Sequence, residues 1–444
     1  MERRDFLKLC SMTGLAVVAG GTAYSEESQA QLKEYTGPLH IFIHAGGGWD
    51  VTSVCDPKGN GQSVATNNAD DMNHYATGDI RQEGNIRWAP MSTLNAANTA
   101  NDDFFGALWQ DLLVVNGIDM ATNSHDVGTR AIWAGSLIEG KPTVAALIAA
   151  AHNREAPMAF IAFGGYSVTS GEVAATRLGG IDAIRRLAFP NVADTNGDER
   201  TLYQSDATVE RMRVARDARH EAKMKSVLLP RTQNSMGTLH LARLGSNELR
   251  LLTEYLPDTI EGGMVGAVQV AIAAYKAGIC VSCNVSSGGF DTHGDNDNGV
   301  GGALNNLLGT EANGRGALRI SRLLEENNLR DNSVVYIGSD FGRTPAYNMG
   351  NGKDHWSISS MLMFGAVNGK KIVGNRVVGA TNDRHSPFGV DPATLEVRET
   401  GGVRITPGHI NRAIRRMAGI LESDVSKKYP ITEPDDLDII QLEA

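Results

Sequence analysis

A chain of 444 residues with 41% apolar side chains has enough apolar material for a large core, and one sizeable α/β domain is within its reach. The 41 Lys and Arg against 51 Asp and Glu leave a formal charge of -10, and the sequence carries no basic stripe, so nothing favours nucleic acid as a partner. Of four cysteines, Cys10 falls in the leader, and the odd three that remain argue against a disulfide framework.

The first thirty residues stand apart. Arg3-Arg4-Asp-Phe-Leu-Lys precedes a modestly apolar run broken by glycines, then the polar Ser25-Glu-Glu-Ser-Gln-Ala30, which is the layout of a twin-arginine export signal over residues 1–30. The run is too short to span a bilayer stably. The expectation is a periplasmic or secreted protein that meets the twin-arginine export machinery and keeps no stable membrane span.

Residues 39–44, Leu-His-Ile-Phe-Ile-His, predict a strand, and the glycines that follow predict a tight turn delivering Asp50. That turn lacks the Lys-Ser/Thr of a phosphate loop. Residues 55–100, rich in Asn, Asp, Gly and Thr, predict a long surface excursion over the active face. A second strand at 112–115 leads through Ser124, His125 and Asp126 into a helix carrying Arg130, Ile132 and Trp133. A hydroxyl beside such a helix start, Ser124 or Thr122, is a candidate nucleophile, and Ser124 is assigned that role, with plain capping as its competitor. A helix over 142–152 and a strand over 158–163 establish the α/β alternation.

Between 191 and 257 the pattern changes to long charged helices, at 209–225 and 246–255, read as a helical insertion or cap. Inside it, Asp194-Thr-Asn196-Gly-Asp198-Glu199 resembles the start of a calcium loop, but Glu199 replaces the turn glycine and Ser205 stands at the twelfth position, so a polar turn is the better reading. A helix over 261–277 feeds a strand over 279–285, in which Cys280 and Cys283 point to opposite faces as buried thiols. A helix over 316–327 feeds a strand at 333–338. A strand at 358–364, short hairpins over 370–400, a helix over 407–421 and an acidic tail at 431–444 complete a single domain spanning 31–430.

In an open α/β sheet, loops leaving the carboxyl ends of strands converge on one crevice. Asp50, Asp291, His293, Asp340 and His355 all follow strand-like runs and are expected to gather around one cation. Each alone would pass as a turn cap, but the coincidence recurs across more than 300 residues. Oxygen and imidazole ligands suit a divalent ion, zinc first, with magnesium, manganese or calcium as alternatives. Such an ion would activate a hydroxyl or water, Arg343 would steady a substrate oxygen, and Asp354 would orient His355. The expected function is hydrolysis of phosphate esters, less so sulfate esters, on a small-molecule or polymer substrate. The alternatives are a catalytically silent binding or assembly module and a mononuclear iron oxygenase.

The strings Gly47-Gly-Trp-Asp-Val, Asp56-Pro57-Lys58, the stretch from His125 to Gly135, Gly288-Gly-Phe-Asp-Thr-His-Gly, Ser339-Asp-Phe-Gly-Arg-Thr-Pro and Gly352-Lys-Asp-His-Trp, with the twin-arginine start, together resemble the domain of unknown function 1501 family. The resemblance implies an exported protein of the alkaline phosphatase and sulfatase superfamily, with a doubly wound, mostly parallel sheet and metal at its carboxyl edge. It implies that Asp50 holds metal after the first strand, Asp291 and His293 form one site, Asp340 bridges or flanks, and His355 completes it. Two departures stand out. Phe341 replaces the histidine that phosphatases of the superfamily place after the aspartate, and Cys55-Asp-Pro57-Lys-Gly lacks the arginine of a sulfatase signature.

Overall fold

A computed structural model describes residues 35–60, 72–177, 191–193, 201–226, 249–257 and 259–443, together with residues 189, 229, 232 and 236. The leader at 1–30 and the calcium-like string at 194–199 lie outside the described residues.

The first thirteen strands in chain order are β1 (Leu39–Ala45), β2 (Arg81–Glu83), β3 (Ile86–Trp88), β4 (Leu113–Asp119), β5 (Phe160–Ala162), β6 (Ala175–Thr176), β7 (Ser282–Ser287), β8 (Ser333–Ser339), β9 (Gly342–Arg343), β10 (His355–Trp356), β11 (Ile358–Val367), β12 (Lys370–Ile372) and β13 (Arg376–Val378). The helices that matter below are α1 (Ala100–Leu108), α2 (His125–Ala134), α3 (Val144–Asn153), α4 (Asp206–Ser226), α5 (Gly263–Lys276), α6 (Asn296–Leu307), α7 (Gly316–Glu326) and α8 (Pro407–Met417). The fold is mixed α/β with a mostly parallel central sheet in the order β13-β4-β11-β8-β1-β7-β5-β6, and β11 runs against its neighbours β8 and β4.

Every residue of β1 is buried, so both faces of the sheet centre are covered, which is why this strand reads as a near-continuous apolar run. On one face Phe42 stacks on Tyr336 at 4.4 Å and meets Trp133 of α2 edge-on, while the indole N–H of Trp133 donates to His44 Nδ1 at 3.1 Å. On the same strand layer the Ser282 hydroxyl donates to Ala145 O of α3 at 2.8 Å. Helix α8 packs on α2, with Asn411 Nδ2 donating to Ile132 O at 3.0 Å. It begins where Thr406 and His409 exchange capping bonds and Pro407 fills the first turn. Helices α1, α5, α6 and α7 form a second packed set.

Register decides where chemistry can happen. Ala45 pairs with Ser287 on one side and Ser339 on the other, so β7, β1 and β8 end level. The loops beginning at 288, 46 and 340 therefore leave the same carboxyl edge side by side.

Some expectations need adjusting. The strand expected from 279 begins at Ser282, because residues 279–281 are spent on the connection from α5. The excursion at 55–100 is less superficial than its composition implies, since Met72, Asn73, Tyr75, Ile86 and Trp88 are buried. Helix α4 is exposed along most of its 21 residues, with Met224 its buried residue. Cys55, Cys280 and Cys283 are free and buried, and burial pushes the Cys283 thiol up to about 12. Among the described residues no helix is long and apolar enough to cross a membrane.

Candidate metal centre

The turn after β1 passes between two other loops. Gly47 and Gly48 have φ of +115° and +73°, and a Cβ on the first would strike the Asp291 backbone, on the second the Phe341 ring. Only glycine lets the three loops approach this closely. Gly48 N donates to Asp340 Oδ1 at 2.6 Å, which ties the β1 turn to the β8 loop.

Arg343 ties in the remainder. Its Nε donates to Gly48 O at 2.8 Å, one terminal nitrogen to Lys353 O at 3.0 Å, and the other to Gly47 O and to Asp291 Oδ1, the last at 2.6 Å. Its side chain is 0% exposed.

Around Asp291 Oδ1 three imidazoles gather. His293 Nε2 lies 3.1 Å away, His355 Nε2 3.5 Å and His125 Nε2 3.6 Å. His293 Nε2 and His355 Nε2 are 3.0 Å apart. Ligand atoms of His125, Asp291 and His355 all fall within 4.8 Å of one another. Each ring turns its other nitrogen to an oxygen acceptor: His125 Nδ1 to Asp340 Oδ2 at 2.5 Å, His293 Nδ1 to Asp354 Oδ1 at 2.8 Å, and His355 Nδ1 to Asn123 O at 2.8 Å. This is how metal-binding histidines are held, with Nδ1–H donated outward and the Nε2 lone pair aimed at the ion. Phe341 packs on His125 and His355 with ring centroids at 4.7 and 4.5 Å, closing one side.

Electrostatics agree with a cation-seeking site. Partial burial works to raise the Asp291 pKa, yet the hydrogen bond and charge of Arg343, with His293 and His125, hold it below the ordinary carboxylate range. The hydrogen bond from His293 likewise holds Asp354 low. Half of the Asp291 side chain, 52%, faces solvent, so the centre is open.

Asp291, His293 and His355 thus come together as expected, and Ser124 keeps its place beside them, but four other assignments need revision, the first being that Asp354 orients His293 and not His355. Asp340 is 1% exposed and stands behind His125, with its second oxygen taking Gly48 N–H and the Ser339 hydroxyl. Arg343 is enclosed rather than turned to a substrate oxygen: four of its five N–H donors go to three backbone carbonyls and Asp291, and its side chain is fully buried. Asp50 faces away into a buried network: its carboxylate takes Thr52 N–H, the Thr52 and Ser53 hydroxyls, Asn296 Nδ2 and the Lys353 ammonium, the last at 2.7 Å. Ser124 is exposed and makes no capping bond, between Asn123, whose carbonyl meets His355, and His125. The sequence reading missed His125 as a member of the cluster. Its signal was there, since it follows β4 through a short loop as Asp291 follows β7.

No curated protein matches the chain. Among solved structures it is similar to one titled "Crystal structure of Ps i-CgsB in complex with k-i-k-neocarrahexaose", at 11% identity and a TM-score of 0.29, covering 91% of this chain and 75% of that one. It is also similar to the PsFucS1 sulfatase from Pseudoalteromonas sp., at 9% identity and a TM-score of 0.32, covering 90% and 73%. Residues 204–395, which hold Asp291, His293, Asp340, Arg343, Asp354 and His355, match the family model described as Protein of unknown function (DUF1501).

Proposed function

We propose that this chain is an exported, metal-dependent hydrolase of phosphate esters, with sulfate esters second, built on a doubly wound, alkaline-phosphatase-like scaffold. The observation that carries the reading is the set of three imidazoles anchored through Nδ1 and converging through Nε2 on Asp291 Oδ1. A neutral ring that donates from Nδ1 keeps its lone pair on Nε2. Arg343 reaches Asp291 Oδ1 but none of the three ring lone pairs, whose mutual repulsion a bound cation would relieve. The charges point the same way: carboxylates at Asp291, Asp340 and Asp354 against one guanidinium at Arg343 leave two negative charges, which one divalent ion would neutralise.

Imidazole nitrogens favour zinc over magnesium and calcium, which prefer oxygen, and manganese is the comparison ion. His125, Asp291 and His355 would hold the ion, with His293 beside them. When bound, the ion would supply Lewis acidity, lowering the pKa of a hydroxyl or water and countering charge that develops on the ester. The chain's own residues do the positioning. Asp340 and Asp354 fix the tautomer and tilt of His125 and His293, and Arg343 fixes Asp291. Ser124, exposed beside His125, is the nucleophile we assign.

Export is proposed from the Arg3-Arg4 leader, which places the mature chain in the periplasm or outside the cell. Cell fractionation with Arg3 and Arg4 changed to Lys tests it, and an unaltered distribution would reject it.

A second reading, a silent binding or assembly module, is favoured by one observation: Arg343 is fully enclosed and offers a substrate nothing. The deciding experiment pairs elemental analysis of exported protein with nitrophenyl phosphate and sulfate assays. Metal with ester hydrolysis abolished by Asp291→Asn supports the hydrolase and rejects the module, metal without hydrolysis supports the module, and protein free of metal removes the hydrolase.

A further inference from the structure

Asp50 and Lys353 form an ion pair with both side chains 0% exposed, 303 residues apart in sequence. Replacing a buried pair by apolar groups of similar size is often neutral for stability, so its presence here calls for another explanation. The connections supply one. Lys353 directly precedes Asp354 and His355, its N–H donates to Thr292 O at 2.9 Å, and its carbonyl receives Arg343. Its ammonium spends its three protons on Asp50 Oδ2 at 2.7 Å, Asn73 Oδ1 at 2.9 Å and Thr52 Oγ1 at 3.2 Å. Asp50 Oδ2 also accepts from Asn296 Nδ2 at 3.1 Å, and Asn296 Oδ1 accepts the Thr292 hydroxyl at 2.5 Å. Both loops that carry the cluster, 291–293 and 353–355, are therefore fastened to the same carboxylate from behind.

We infer that the Asp50–Lys353 pair is a positioning device for the metal centre, setting the spacing between Asp291 and His293 on one loop and His355 on the other without touching the ion. This rests on the metal reading above. The pair works through distance: the 3.0 Å separation of His293 Nε2 and His355 Nε2 is held by two tethers that share Asp50 as their anchor. Releasing either tether lets one loop relax under the repulsion of its neighbours' lone pairs, and the ligand set arrives spread.

The test uses full-length protein, cobalt(II) as the probe, and two readouts besides activity: affinity and the visible absorption of the bound ion. The double variant Asp50→Asn with Lys353→Met removes both charges together, so neither is left buried alone. We expect it to melt near the wild type in chelator but to bind cobalt about 10–100-fold more weakly, with an altered spectrum, the loss typical when groups orienting metal ligands are removed. Asn296→Ala, which cuts only the tether to residue 292, keeps the test open if the charge-pair variant does not fold, and should weaken cobalt binding in the same direction. A double variant or an Asn296→Ala variant with wild-type affinity and spectrum overturns the inference. So does Asp50→Asn abolishing binding while Lys353→Met leaves it intact, since Asp50 would then be a ligand. Wild-type protein that binds no cobalt would overturn the metal reading itself, and this inference with it.

Discussion

Asp340→Asn is the sharpest single perturbation because its effect can be worked out bond by bond. The buried carboxylate accepts three donors: His125 Nδ1 at 2.5 Å and Gly48 N at 2.6 Å on separate oxygens, and the Ser339 hydroxyl at 2.8 Å beside the latter. An amide keeps one acceptor oxygen and turns an NH2 group toward either His125 or Gly48, so one donor meets another donor. Bonds to a charged acceptor contribute about 1.5–3 kcal/mol and a stranded buried donor costs about 1–3 kcal/mol, which together give a loss of about 2.5–6 kcal/mol. If the NH2 faces His125, the ring must flip its proton or rotate, and metal affinity falls by about 10–100-fold. Urea unfolding in chelator measures the first effect and zinc competition against a chromophoric chelator the second. An Asp340→Asn protein that matches the wild type in both would refute the role given to this residue.

Other outcomes follow from the same geometry. Arg343→Lys should lower apo stability and metal affinity, because an ammonium cannot reach three carbonyls and Asp291 at once; a normal melting curve with a selective loss of kcat would instead restore Arg343 to substrate contact. Acid should destabilise the apo protein through Asp50: burial works to raise its pKa, but the charge and hydrogen bond of Lys353, with Thr52 and Ser53, hold it lowered. A depressed folded pKa gives stability that is present above the unfolded carboxylate value of about 3.9 and is lost as pH falls below it, so unfolding followed from about pH 6 to about pH 2 should show a weaker acid dependence in the Asp50→Asn, Lys353→Met double variant. Native protein should leave Cys55, Cys280 and Cys283 unreactive toward Ellman's reagent until denaturant is added, and rapid native labelling of any of the three would contradict their burial.

Much of the scaffold is legible because strands buried on both faces announce themselves as near-continuous apolar runs, as residues 39–44 and 333–338 do. The rule that strand ends carry the site found Asp291, His293 and His355 for the same reason. It misled at Asp50, which obeys the rule but meets a lysine 303 residues away, a pairing invisible without the register of three loops. Arg343 misled differently. An arginine after a strand suggests an anion grip, and nothing local reveals that Gly47, Gly48 and Lys353 turn their carbonyls onto it. His125 is hidden in a different way: beside Ser124 it reads as part of a helix start, and its anchor Asp340 lies 215 residues further along the chain.

Anomalous diffraction at the zinc edge, on crystals of protein purified through export, decides whether these imidazoles hold an ion. One strong peak per chain is expected, bonded to His125 Nε2, His355 Nε2 and Asp291 at about 2.0–2.2 Å, with Asp50 still on Lys353. A peak bonded to Asp50, or no peak between these histidines in protein that hydrolyses esters, would contradict the metal centre described above.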